Sequence, residues 1–186
     1  MHGQDPASVA RSVLEFWLGE VPPEKRFVRD DVLDATIRTR FGGLHTHLMA
    51  SHAADFRADA RTTLAAVIVL DQFSRNLFRG AKEAFACDPL ARELARHAIE
   101  RGWDASMTRV ERQFLYLPFM HAENRDDQAF SMKLYEALGD PNVLSFARRH
   151  AEQIERFGRF PQRNEALGRV TTEEEAAFLT RPHARF

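Results

Sequence analysis

Apolar residues return at helical spacing along most of the chain. From about Asp31 to Met49, Leu33, Ile37, Phe41, Leu44 and Leu48 recur three or four positions apart and so share one helix face. Val9, Val13, Phe16 and Trp17 do the same between Pro6 and Gly19. Residues 59–73 run through "LAAVIVLDQF", apolar all round, and predict a central buried helix. The β-branched Val67, Ile68 and Val69 would also suit a strand, but the chain offers no second convincing strand to pair with it.

Polar punctuation sharpens the pattern. Asp5-Pro6, Asp88-Pro89 and Asp140-Pro141 each read as an N-cap followed by proline at the first helical position. Asp126 reads as the N-cap of "DDQAFSMKLYEALG", and Gly19, Gly102 and Gly139 read as stops. Thr108 with Glu111, and Thr171 with Glu174, have capping-box spacing. Gly42 and Gly43 predict a break or bend in the second helix. Pro118 falls inside a helical pattern, and "VPPEKRFVRD" reads as a linker. Together these predict an all-α protein of seven or eight helices, joined by short turns into antiparallel hairpins. The pairs 88–101 with 109–123, and 127–138 with 141–157, resemble tetratricopeptide-like stacked hairpins, without a legible repeat consensus.

A chain of 186 residues is expected to form a single domain, 1–186, whose core draws on fifteen phenylalanines. The formal charge of -1 argues against a general nucleic-acid or anionic-membrane binder. No stretch approaches the roughly 20 apolar residues of a membrane span. The lone Cys87 excludes an intramolecular disulfide. With no signal-like run in residues 1–20, the expectation is a cytoplasmic protein. Walker, GxGxxG, CxxC and GxSxG motifs are missing, so no cofactor is expected. His45, His47 and His52 are poorly spaced for chelation, Glu93 with His97 is a weak face, and no metal site is expected.

Three polar segments beside helix ends carry the candidate chemistry. In "LDQFSRNLFRG" (70–80), Asp71 and Arg75 stand one turn apart, with Asn76 between them and Arg79. One arginine held by Asp71 would leave the other free to offer its planar fork to a carboxylate or phosphate. An internal Asp71–Arg75 pair serves the structure equally well. In "LPFMHAENRDDQ" (117–128), His121 and Glu123 could share proton work if the helix has unwound by Met120. "RFGRFPQRNEALGR" (156–169) interleaves Arg159 and Arg163 with Phe157 and Phe160, and Asn164 follows.

In their order and spacing, "LDQFSRNLFRG", "ERQFLYLPFMHAEN" and "RFGRFPQRN" resemble an uncharacterised bacterial family, domain of unknown function 924. The likeness runs from "VLEFWLGE" to the last helix and implies an all-α, tetratricopeptide-like fold. The family pattern usually has proline where this chain has Ser74. The expectation is a cleft that recognises a small anion. Asp71, Arg75, Asn76, Arg79, Arg159, Arg163 and Asn164 would bind it, and His121 and Glu123 would be the proton carriers. The alternative is a helical interaction module that binds a peptide or partner helix.

Overall fold

A computed structural model describes residues 5–182, 184 and 185. Its order is α1 (Pro6–Leu14), α2 (Asp31–Ala50), α3 (Ala60–Ile68), α4 (Ser74–Leu77), α5 (Asp88–Glu100), α6 (Arg109–Met120), α7 (Arg125–Leu138), α8 (Pro141–Phe157) and α9 (Glu173–Leu179). A π-helical turn, Val69–Phe73, joins α3 to α4 in one rod, so the described residues form eight helices and no strand. A second π-helical turn, Glu15–Glu20, prolongs α1 past the stop expected at Gly19.

The chain divides into two compact units: the second takes Gly80–Lys82 and the chain from Phe119 onward, so one boundary falls after Pro118 inside α6. In the first, α1 and α5 both pack on α3, and α2 packs on α4. Its centre is aromatic: Trp17 stands edge-on to Phe73 (5.3 Å) and Phe114 (6.0 Å), and Phe41 packs on Phe16 (5.0 Å) and Phe73 (5.2 Å). Burial on several sides accounts for the apolar run Leu64–Ile68 in α3. In the second unit α7 and α8 form the expected hairpin around buried Tyr135, Leu138 and Ile154. Its turn is short because Gly139 takes the left-handed conformation (φ 72°) and Asp140 caps Asn142 and Val143.

Asp5 caps α1 and Thr108 with Glu111 forms its box, as the spacing predicts. Four further expectations are corrected. α2 passes unbroken through Gly42 and Gly43. Cys87, not Asp88, is the N-cap of α5, because the Asp88 carboxylate is drawn away to Arg75. Asn124, not Asp126, caps α7. The last box is Thr172 with Glu175, one residue beyond Thr171 and Glu174. Both pairs have the required spacing, so sequence alone could not choose the register.

Candidate functional site

In the first unit the polar groups gather where α3 passes into its π-helical turn. That turn leaves Asp71 and Arg75 close enough to form the i,i+4 ion pair that their spacing predicts. The Arg75 fork engages Asp88: Nη2 donates to Oδ2 at 2.9 Å, and Nη1 donates to Oδ1 and to the Ala84 carbonyl. Asp71 stands farther off, with Oδ1 3.8 Å from Arg75 Nη2, and its Oδ2 accepts from Gln72 Nε2 at 2.7 Å. Burial alone would lower the Arg75 pKa, but Asp71 and Asp88 outweigh it and raise it.

Arg79 and Asn76 turn to another acid. Asp34 accepts from Arg79 Nε (2.9 Å), Arg79 Nη2 (2.8 Å) and Asn76 Nδ2 (2.8 Å). Burial pushes the Asp34 carboxyl up, and the Arg79 and Asn76 hydrogen bonds more than reverse this, leaving it below the usual range. Both arginine forks are therefore engaged by carboxylates. Neither Asp34 nor Asp88 stands out in the sequence as a partner. Asp34 carried a signal, since it falls on the apolar stripe with Ile37, Phe41 and Leu48.

Beneath the π-turn, His45 Nε2 lies 2.8 Å from Ser74 Oγ and 3.7 Å from Cys87 Sγ. A hydroxyl or thiol beside imidazole is the arrangement of an activated nucleophile. Here the Ser74 hydroxyl donates to the Leu70 carbonyl at 2.6 Å, so the imidazole donates to Ser74 rather than taking its proton. Burial lowers the His45 pKa and raises that of Cys87, which favours a neutral thiol and neutral imidazole over the reactive ion pair. All three side chains are buried, and the group closes the core.

The other segments lie in the second unit. α6 contains Pro118 and ends at Met120, so the chain has unwound before His121. Gln128 Nε2 satisfies the helix end by donating to the Met120 (2.7 Å) and Ala122 (2.8 Å) carbonyls. The His121 carbonyl accepts from Arg163 Nη2 at 2.9 Å, and its ring stands 5.9 Å from that of His150. Glu123 accepts from the Phe160 amide (2.8 Å), Arg169 Nη1 (2.6 Å) and Arg169 Nη2 (3.0 Å). Burial raises the Glu123 carboxyl, but the Arg169 and Phe160 hydrogen bonds bring it below the usual range. A carboxylate kept ionised at neutral pH fits a structural tie better than a proton carrier.

Glu175 makes a second tie. It accepts from Arg159 Nε (2.6 Å), Arg159 Nη2 (2.9 Å), Asn164 Nδ2 (3.2 Å) and the Thr172 amide (2.8 Å). These bonds, Arg159 foremost, hold its carboxyl at about 2. Arg163 lies over the Phe160 ring, 4.6 Å from its centre. The segment between α8 and α9 is thus laced down by two acids at both ends of its arginine series.

α7 and α8 also enclose an open groove of about 460 Å³. Ala129, Met132, Ala151 and Ile154 give it an apolar base. Arg125 on its edge pairs with Glu155 at 3.5 Å, and Arg156 pairs with Glu174 at 2.7 Å. Glu152, also on the edge, has no ion pair among the described residues. The groove leaves little mark in the sequence, because alanine and one methionine on a helical stripe look like ordinary core.

No helix among the described residues is long and apolar enough to cross a membrane. The family described as "Bacterial protein of unknown function (DUF924)" matches residues 13–183. No curated protein matches the chain. A solved structure, described as a protein of unknown function, ATU0120 from Agrobacterium tumefaciens, is 39% identical. The likeness covers 94% of this chain and 98% of that one, with a TM-score of 0.89.

Proposed function

The chain belongs to the DUF924 family of bacterial proteins of unknown function, and we propose that it acts as an interaction module whose α7–α8 hairpin takes up a segment of a partner protein. The groove is what carries this reading. Its small alanines leave room for a bulky side chain over Met132 and Ile154. The edge arginines are already neutralised by Glu155 and Glu174, so Glu152 is the charge left to answer. The fitting occupant is a peptide segment with a large apolar residue and a lysine or arginine one helical turn away.

Recognition of a small anion is the competing reading. It would require a guest to displace Asp88 from Arg75, Asp34 from Arg79 or Glu175 from Arg159. Each exchange breaks a charge-assisted, two-pronged contact already in place.

Selection from a displayed peptide library, followed by calorimetry on the winners, separates the readings. Enriched peptides should share the apolar-plus-basic pattern. Ala129→Arg, an exposed position on the groove, should weaken their binding at least about tenfold, or about 1.4 kcal/mol, without lowering the melting temperature. Binding indifferent to this substitution overturns the proposal. So does an empty selection accompanied by thermal stabilisation with phosphate or an organic acid. A saturating anion at about 100 times its Kd would add about 2.7 kcal/mol.

A further inference from the structure

We propose that Phe114, Trp17 and Arg26 form a binding site for a small aromatic carboxylate, and that the Phe27 ring is its gate. All four belong to the first compact unit. Trp17 is fully buried in the π-helical turn Glu15–Glu20, an irregularity that recurs at functional sites, yet its indole Nε1 has no hydrogen-bond partner. A buried N–H without an acceptor is costly, and buried indole nitrogens usually find one. Arg26 is short of a partner in a second way. Its Nη2 donates to the Leu18 (3.0 Å) and Val21 (2.9 Å) carbonyls, its Nε is buried and unbonded, and no carboxylate among the described residues pairs with it. Asp34 raises the Arg79 pKa and Glu175 that of Arg159, whereas at Arg26 burial outweighs the attraction of Glu24 and lowers it.

These two side chains adjoin one ring. Trp17 stands edge-on to Phe114 at 6.0 Å, and the Arg26 guanidinium carbon lies 5.9 Å from the Phe114 centre. Phe27, in the turn before α2, stacks on the same ring with 5.9 Å between centres and 6° between planes, yet stays 58% exposed. It leaves most of its surface in water, so a ligand ring that takes its place on Phe114 gives up little by displacing it. A water molecule would answer the indole but not an arginine charge that burial disfavours. A carboxylate answers both, with one oxygen for each donor. The site shares no residue with the α7–α8 groove and stands whether or not that groove binds peptides.

Trp17 and Trp103 are the two tryptophans, so NMR of the full chain reads two indole N–H signals, assigned with Trp103→Phe. At pH 7, titration with benzoate should move the Trp17 signal to saturation. Acetate, which lacks the ring, and benzyl alcohol, which lacks the charge, should bind at least about tenfold more weakly, as should benzoate to Arg26→Gln. Phe27→Ala removes the gate, and benzoate should bind this variant about threefold more tightly or better. A Trp17 signal that benzoate moves in neither the wild type nor Phe27→Ala overturns the proposal. So does benzoate binding that acetate matches, that Arg26→Gln leaves unchanged or that Phe27→Ala weakens. Should Arg26→Gln fail to fold, the two analogues and Phe27→Ala decide.

Discussion

Two carboxylates converge on the Arg75 guanidinium, and its side chain keeps only 22% exposure. Removing it in Arg75→Ala would leave Asp71 and Asp88 without that cation in surroundings where an uncompensated charge is costly. The expected loss is about 3 kcal/mol in urea unfolding, the lower end for a broken buried pair because Arg75 is partly exposed. The exposed Arg29–Asp31 pair, with side chains 72% and 77% exposed, supplies the contrast. Arg29→Ala should change stability by no more than about 0.5 kcal/mol. If the two variants proved equally mild, Arg75 would not be the internal tie that its geometry indicates. The arginines stood out in the sequence because they interrupt apolar runs. Of their partners, Asp71 was legible from its spacing to Arg75, whereas Asp34 and Asp88 are distant in sequence and either could pass for a helix-start acid.

Helices are easier to read than their joints. Asp5, Asp140 and the Thr108–Glu111 box act locally, over three residues, and their chemistry survives in the fold unchanged. The π-turn at Val69–Phe73 does not announce itself, because its residues, Val-Leu-Asp-Gln-Phe, read equally well as part of an α-helix. The Asp71–Arg75 spacing nonetheless holds at its end, where the pair stands at 3.8 Å. Gly42 and Gly43 misled for another reason: packing along α2 outweighs the intrinsic cost of glycine in a helix. That cost is still recoverable. A Cβ built on Gly42 meets nothing within 4 Å, so Gly42→Ala should stabilise the protein by about 0.5–1 kcal/mol through reduced freedom of the unfolded chain. A higher melting temperature with an unchanged urea m-value would support this, and a lower one would mean that helix packing near Gly42 depends on the missing methyl.

For the molecule taken whole, these buried groups set a pH profile with two descending limbs. His45 and His150 both have folded-state values below the ordinary one, burial being the first cause in each. The unfolded chain therefore takes up protons near pH 6.5 that the folded chain refuses. Their stabilisation is complete above that value and is lost as pH falls below it, by at most about 1.4 kcal/mol per pH unit for each fully suppressed histidine. The carboxylates act later. Glu175, held at about 2, together with Asp34, Glu111 and Glu123, gives stability that is present above about pH 4.5 and drains away toward pH 2. Urea midpoints measured at pH 8.0, 7.0, 6.0 and 5.0 should be level between the first two and then fall. In His45→Gln the decline between pH 6.5 and 5 should be shallower, leaving the His150 share in place. A wild-type profile flat down to pH 5 would mean that both rings reach solvent in the folded protein, contrary to the packing of His45 against Ser74 and of His150 against Phe160.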